Sequence, residues 1–269
     1  MQTPIPKPRV CAVSYLNTVP LVWGMLHSSD PEDGRDVFDL RFALPSACAD
    51  QLASGAADIG IVPVIEMARQ GLDYFPGTGI ACRGPVRSIL LVSKVPCKEI
   101  RTLATDAGSR TSVVLARIIL AEKFGAEPLL ISRPADLTAM LREADAALLI
   151  GDPALRLDPA KVPFEVLDLG AEWTAMTGLP MVFALWSARK ELIQERYAQA
   201  FLQSCRYGCA HIDDIVKSEA SGRGVSEDLA RQYLTRNIAF ELAERDYAGL
   251  DRFLQFASRI EPVGATTTC

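Results

Sequence analysis

Two histidines, His27 and His211, are all the imidazole that this 269-residue chain carries. No Cys-x-x-Cys pair accompanies them, and the seven cysteines are scattered through strand-like and helix-like segments rather than spaced as a framework. A zinc site draws on several such ligands at short, regular spacing, so no metal site is expected. Cys205 and Cys209 stand one helical turn apart, a spacing that packed thiols adopt more often than ligands do. Both histidines fall on helix-like stretches, where neither is placed for a Ser–His–Asp triad. There is no Gly-x-Gly-x-x-Gly after the first strand, no Walker loop and no His-Glu-x-x-His. Dinucleotide, nucleoside triphosphate and zinc-protease chemistry therefore have no support, and Gly77-Thr78-Gly79 has none of the context of a phosphate loop. No apolar run reaches the roughly 20 residues of a membrane helix, and no basic segment followed by an apolar stretch opens the chain as a leader. Lys and Arg form no stripe on a chain of net charge -5, which argues against nucleic acid as a partner. The expectation is a cytosolic protein with a small-molecule partner, without cofactor and without membrane insertion; nothing here bears on its oligomeric state.

What is present describes a folded enzyme-like chain. Hydrophobic residues make up 49% and charged residues 23%, the balance of a globular core rather than of disorder. Arg9 to Val13, Val37 to Leu44 and Asp58 to Val62 read as short strands. Between them lie helical patterns from Val19 to His27, from Pro45 to about Gly55, and from Pro63 to Gly71. Pro in the first turn and Gly after the last are the expected punctuation. Helices between successive strands imply parallel crossovers and an α/β sheet.

The rhythm restarts after the apolar strand Ser88 to Ser93. Strands are expected at Thr102 to Thr105, Leu129 to Ser132 and Ala146 to Ile150, with helices at Thr111 to Phe124 and Ala135 to Glu143. A second apolar strand, Val182 to Trp186, precedes helices alone: Lys190 to Tyr207, Cys209 to Ser218, Ser226 to Arg236 and Asp246 to Ser258. Helices without strands of their own must bury their apolar stripes on an existing sheet, most economically the first one. The layout is thus two α/β lobes, residues 1–92 with 187–269 and residues 93–186, joined by two crossing segments and enclosing a cleft. A single doubly wound domain with a helical appendage is the alternative. The tail from Gly264 to Cys269 is expected to be poorly ordered.

In α/β sheets ligands gather at the carboxyl ends of strands, against helix N-termini. Four junctions of this chain carry polar residues there. Ser14-Tyr15-Leu16-Asn17-Thr18 follows the first strand; Ser14 and Thr18 suit helix caps, and Asn17 offers a donor and an acceptor. Asp106 to Ser112 brings Ser109, Thr111 and Ser112 to a helix start and adds the Arg110 fork, a combination fit for a carboxylate. A cation in the first helical turn opposes the helix dipole unless an anion accompanies it. Gly151-Asp152-Pro153 places an acid after the Ala146 to Ile150 strand, as a cap or as an acid or base. Gly84 to Ser88 brings Ser88, and with it Arg87, toward the hinge. From these residues alone the reading stops at a cleft for a small anion.

Taken in order, these segments resemble chorismate dehydratase, the first enzyme of the futalosine route to menaquinone. Ser14-Tyr15-Leu16-Asn17-Thr18-Val19-Pro20-Leu21 is similar to the N-terminal signature of that family. Asp58 to Val64, Gly84 to Ser93, Ser109 to Ser112, Gly151 to Leu155 and Thr177 to Trp186 follow in the family's order, so the likeness runs from about residue 9 to 260. It implies a type II periplasmic-binding-protein-like fold and a lyase that removes water from chorismate, a dicarboxylate, without metal or organic cofactor. On this reading Ser109, Arg110, Thr111 and Ser112 grip a carboxylate, and Ser14, Ser88 and Gly151 make further contacts. Asn17 positions the reacting part and stabilises developing charge. Asp152 or the substrate's own side-chain carboxylate takes the proton. The rivals are a solute-binding protein of the same fold, the related 1,4-dihydroxy-6-naphthoate synthase, and the sensing domain of a regulator.

Overall fold

Short apolar runs bounded by polar turns become strands, and most are followed by a stretch whose apolar residues repeat at helical spacing. The computed structural model describes residues 7–30 and 35–260. It begins with β1 (Arg9–Val13), α1 (Val19–His27), β2 (Asp39–Ala43), α2 (Pro45–Ala53), β3 (Ile59–Pro63), α3 (Val64–Gln70) and β4 (Asp73–Cys82). Next come β5 (Ile89–Ser93), β6 (Thr102–Asp106), α4 (Thr111–Phe124), β7 (Leu129–Arg133), α5 (Leu137–Glu143), β8 (Ala146–Ile150), α6 (Gly151–Arg156), β9 (Glu165–Asp168) and α7 (Leu169–Thr177). The chain closes with β10 (Met181–Ala188), α8 (Glu195–Ala210), α9 (Ile212–Glu219), α10 (Glu227–Gln232), a π-helical turn at Tyr233–Asn237, β11 (Ala239–Glu241) and α11 (Glu244–Ile260).

Two sheets result. One has six strands in the order β11-β4-β10-β3-β1-β2, the other five in the order β7-β6-β8-β5-β9. Both are mixed rather than wholly parallel. β1 runs parallel to β2 and β3, and β6 parallel to β7 and β8, whereas β10 lies antiparallel to β3 and β4, and β5 antiparallel to β8 and β9. The βα units give the parallel pairs; strands that enter from the opposite sheet arrive reversed. β5 pairs only inside the five-stranded sheet and β10 only inside the six-stranded one, so the chain passes between sheets at residues 83–88 and 178–180.

Strands and helices of the first two thirds lie close to where periodicity puts them, but five elements were not expected. β4 contains Pro76, Gly77 and Gly79, residues that weaken a strand pattern; its ladder to β10 is broken by two register shifts that accommodate them. α6, β9 and α7 occupy a stretch in which Pro153, Pro159 and Pro163 obscure the period. β11 is three residues long and falls between the helices expected at Ser226 to Arg236 and Asp246 to Ser258. The tail from Gly264 lies outside the described residues.

The C-terminal helices do return to the first sheet. α8 packs on α1 and β4, and Phe201 stacks between Trp186 of β10 and Phe38, with ring centroids 4.4 Å and 4.8 Å apart. α11 packs on β10 and α3 and also on α4, and sets Phe253 and Phe256 edge-on against Trp173 of α7. Of the two thiols one turn apart on α8, Cys205 is buried and Cys209 exposed. The α1–α8 contact is closed by Gly208, where an added Cβ would stand 2.1 Å from the Pro20 carbonyl oxygen. Backbone has no rotamer with which to make room, so Gly208→Ala is expected to cost about 1–3 kcal/mol in urea unfolding. Gly222→Ala, with nothing within 4 Å of the new Cβ, serves as the control and is expected to leave the midpoint unchanged. Equal midpoints for both variants would contradict so close an approach of the two helices.

Candidate active site

β1 of the six-stranded sheet and β6 and β8 of the five-stranded sheet end at one cavity, about 550 Å³ counting the space open to solvent. The turn after β1 contributes Tyr15 and Asn17, the start of α4 contributes Ser109, Arg110, Thr111 and Ser112, and the end of β8 contributes Gly151. The passage between sheets adds Val86 and Ser88, and apolar walls come from Ile80, Pro63 and Phe183.

The loop from Asp106 to Arg110 is shaped by the Asp106 carboxylate, which accepts the Gly108 N–H at 2.9 Å while the Asp106 carbonyl accepts the Ser109 N–H. Burial pushes the Asp106 carboxyl above the ordinary carboxylate range, and the Gly108 N–H works in the opposite direction. The loop delivers Arg110 as the residue before a 14-residue helix that has no side-chain cap. The first N–H groups of α4 therefore have no side-chain acceptor at the end where the dipole is positive. Ser109 Oγ and Arg110 Nε are buried and without a partner in the protein. The Thr111 hydroxyl is engaged elsewhere: it accepts the Ile65 N–H at 3.4 Å and donates to the Phe183 carbonyl at 3.3 Å, tying α4 to α3 and β10. Together these groups present a wall of backbone, hydroxyl and guanidinium donors, a chemistry suited to an anion.

Facing it is a second polar group. The Tyr233 phenol, fully buried on the π-helical turn, donates to Ser88 Oγ at 2.8 Å and meets the Asn17 amide. Burial pushes that phenol well above its usual range, so it stays protonated and acts as a donor at neutral pH. With its lone pair accepting from Tyr233, the Ser88 hydroxyl keeps its own hydrogen free to donate. Asn17 Oδ1 is buried with no partner. One tyrosine thus couples two cavity residues that lie more than 70 positions apart in sequence.

Tyr15 spans the gap between the two sheets. Its ring lies on Gly151, where an added Cβ would come within 2.5 Å of the ring carbons, and Gly151 has φ of 59°. Only glycine meets both conditions without strain. Burial, with the nearby Asp106 and Asp152 carboxylates, raises the Tyr15 phenol above its usual range.

Of the nine residues nominated from sequence, Asn17, Ser88, Ser109, Arg110, Thr111, Ser112 and Gly151 line this one cavity, and Ser14 and Asp152 do not. Ser14 is exposed, its N–H donating to the Ala43 carbonyl and its carbonyl accepting from Arg223. Asp152 is buried, with one carboxylate oxygen accepting the Leu16 N–H at 3.0 Å and the other accepting Arg223 Nη1 at 2.7 Å. Arg87 also turns away, donating to the Ala154 and Leu157 carbonyls at the end of α6. Tyr15 stood within the segment singled out but was not assigned a role. Tyr233 and Arg223 lie in helical sequence with no local signal of a site. Among the described residues no group of three or more His, Cys, Asp and Glu side chains could hold a metal ion, and no helix is long and apolar enough to cross a membrane.

The family described as menaquinone biosynthesis matches residues 8–259. A chorismate dehydratase of Thermus thermophilus is 30% identical over 81% of this chain and 86% of its own length. That of Campylobacter jejuni is 25% identical over 90% of this chain and 94% of its own. Among solved structures, protein AF1704 of Archaeoglobus fulgidus superposes with a TM-score of 0.73 at 17% identity, covering 94% of this chain and 97% of that one. The periplasmic aliphatic sulphonate binding protein SsuA of Escherichia coli superposes with a TM-score of 0.62 at 17% identity, over 95% and 89% of the two chains. These last likenesses establish the fold, two α/β sheets in the manner of a periplasmic binding protein. With a match over nearly its whole described length, the chain belongs to the menaquinone biosynthesis family, alongside the chorismate dehydratases it resembles.

Proposed function

We propose that this protein is a cytosolic lyase that removes water from chorismate to give 3-[(1-carboxyvinyl)oxy]benzoate, the entry step of the futalosine route to menaquinone. The observation that carries the reading is the pairing, in one cavity, of the uncapped α4 start and Arg110 with the Asn17–Tyr233–Ser88 group. The first suits a carboxylate; the second presents an amide and a hydroxyl to the part of the ligand that reacts.

Chorismate carries two carboxylates, a ring hydroxyl and an enolpyruvyl ether. The hydrogen on the ether-bearing carbon leaves as a proton, its electron pair forms the new ring double bond, and the neighbouring hydroxyl departs to complete a water molecule. The ring becomes aromatic, so the step is strongly downhill and, written this way, calls on no metal or organic cofactor. The protein's part is to fix one geometry, exclude water and meet developing charge with oriented dipoles. Ser109, Arg110 and the backbone of Thr111 and Ser112 would grip a carboxylate. Ser88 and Gly151 would line the ring, and Asn17 would position the reacting carbons. Ser14 is given no substrate contact, since its side chain is turned to solvent and its backbone N–H and carbonyl are held by Ala43 and Arg223. We assign the proton to the substrate's own side-chain carboxylate rather than to Asp152, both of whose oxygens are already engaged.

Two lobes are proposed to move about the passages at 83–88 and 178–180, where the chain changes sheets; β5 then goes with the second lobe and β10 with the first, a few residues away from the boundaries at 92 and 186 expected from sequence.

Purified protein mixed with chorismate is expected to yield a product one water lighter with the absorbance of a benzoate. Binding of chorismate without turnover would make it a solute-binding protein, and no interaction would overturn the substrate. Tyr233→Phe removes one oxygen and frees both Asn17 and Ser88. Its kcat is expected to fall about 10- to 100-fold, in the range of losing one oriented hydrogen bond near the reacting centre, and its stability in urea by about 1–3 kcal/mol for the buried groups left unpaired. An unaltered kcat would show that Tyr233 only fills space.

A further inference from the structure

Asp152 and Arg223 belong to different halves of the molecule. Asp152 is on α6, directly after β8 of the five-stranded sheet; Arg223 is in the short turn Ser221–Arg223 after α9, which packs on α1 beside the six-stranded sheet. Their charged atoms are 2.7 Å apart, and both side chains are largely out of solvent, at 12% and 19% exposure. What surrounds the pair converges on one place. Arg223 Nη1 also donates to the Ser14 carbonyl at 2.7 Å, and the second Asp152 oxygen accepts the Leu16 N–H at 3.0 Å. The two residues therefore hold the turn that carries Asn17 by its backbone on both sides of Tyr15.

The pair is itself held in orientation. Glu219 accepts from Arg223 Nε at 3.1 Å and Nη2 at 2.8 Å, and Arg156, on the same helix as Asp152, donates to the Arg223 carbonyl at 3.2 Å. Tyr15, trapped between the two halves, rests on Gly151, the residue before Asp152. Separation of the two sheets would break the ion pair, the Leu16 bond, the Arg156 bond and the Tyr15 contact together. A desolvated ion pair broken in this way leaves two charges to be resolvated and one backbone N–H unpaired, which makes the change two-state rather than gradual.

We propose that Asp152 and Arg223 form a latch between the two sheets that fixes the Ser14–Asn17 turn in its substrate-ready position, making Asp152 a positioning residue rather than the base. This inference rests on the dehydratase reading for its kinetic consequence, though not for its structural one. With the latch broken, the competent arrangement is only fractionally populated in the free protein, and apparent affinity falls by that fraction while saturating substrate restores most of the rate.

The test is Asp152→Ala, Arg223→Gln and the double variant, with Asp152→Asn as the conservative replacement. Each is assayed for chorismate turnover, hydrogen–deuterium exchange at residues 14–18 and urea stability. Asp152→Ala and Arg223→Gln are each expected to raise KM about tenfold or more, the low end for loss of a partly buried pair, with a much smaller change in kcat. The double variant is expected to be little worse than either single one, because both remove the same interaction. Exchange at Leu16 is expected to quicken in Asp152→Ala without substrate, and Asp152→Asn, which keeps an acceptor for that N–H, to restore part of the protection. A collapse of kcat at unchanged KM in Asp152→Ala would make it the base and overturn the latch, as would unchanged exchange at Leu16. If the parent protein does not convert chorismate, the dehydratase reading fails, and exchange at Leu16 still decides the latch.

Discussion

Hydrogen-bonding groups taken out of water must find partners, at a cost of about 1–3 kcal/mol for each one left alone. The cavity of this protein concentrates such groups: Ser109 Oγ, Arg110 Nε and Asn17 Oδ1 are all buried and have no partner within the protein. A fold that gathers unpaired polar atoms in one place carries strain unless a ligand answers them, and the answer has a defined chemistry. The α4 start and the guanidinium call for negative charge; Asn17 and Ser88 call for neutral polar atoms. An anion that also bears hydroxyl and ether oxygens meets both demands.

The architecture follows from supplying these groups from opposite sides. β1 and α1 carry the Asn17 turn, β6 and α4 carry the wall of donors, and the passage at 83–88 carries Ser88 between them. Within the first two thirds of the chain the two sides meet where Tyr15 lies on Gly151 and the Leu16 N–H reaches Asp152. The C-terminal helices, which have almost no sheet of their own, provide the closing contacts: Tyr233 joins Asn17 to Ser88, and Arg223 joins the Asn17 turn to α6. The π-helical turn at Tyr233 fits this role, since such irregular turns cost backbone hydrogen-bond geometry and tend to occur where a side chain must be aimed. A solute-binding fold becomes suited to chemistry when the cleft is lined by fixed dipoles and its polar residues are themselves locked.

Much of this was legible in sequence, for physical reasons. Strand-to-helix junctions announce themselves through short polar runs after apolar ones, so Asn17, Ser88, Ser109 to Ser112 and Gly151 could be nominated from residue type and position. The expectation of an anionic ligand followed from a cation placed at a helix start. Contacts made over a long sequence distance left no trace. Nothing local distinguishes Tyr233 from a core tyrosine or Arg223 from a surface arginine, because their function lies in what the fold sets beside them, 145 and 71 residues away. Asp152 illustrates the converse: its position after a strand fits an acid or base, and only the placement of Arg223 and of the Leu16 N–H gives its carboxylate another occupation. β4 was hidden because Pro76, Gly77 and Gly79 weaken a strand pattern, and its bulged ladder is what tolerates them.

On the proposed function one cavity grips a carboxylate at the start of α4 while Asn17 and Ser88 face the ring. A crystal structure of the protein with 3-[(1-carboxyvinyl)oxy]benzoate tests it most directly. A carboxylate is expected within hydrogen-bond distance of Ser109, Arg110 and the first N–H groups of α4, with the ring beside Asn17. A ligand seated outside this cavity, or one whose carboxylates both point away from α4, would contradict it.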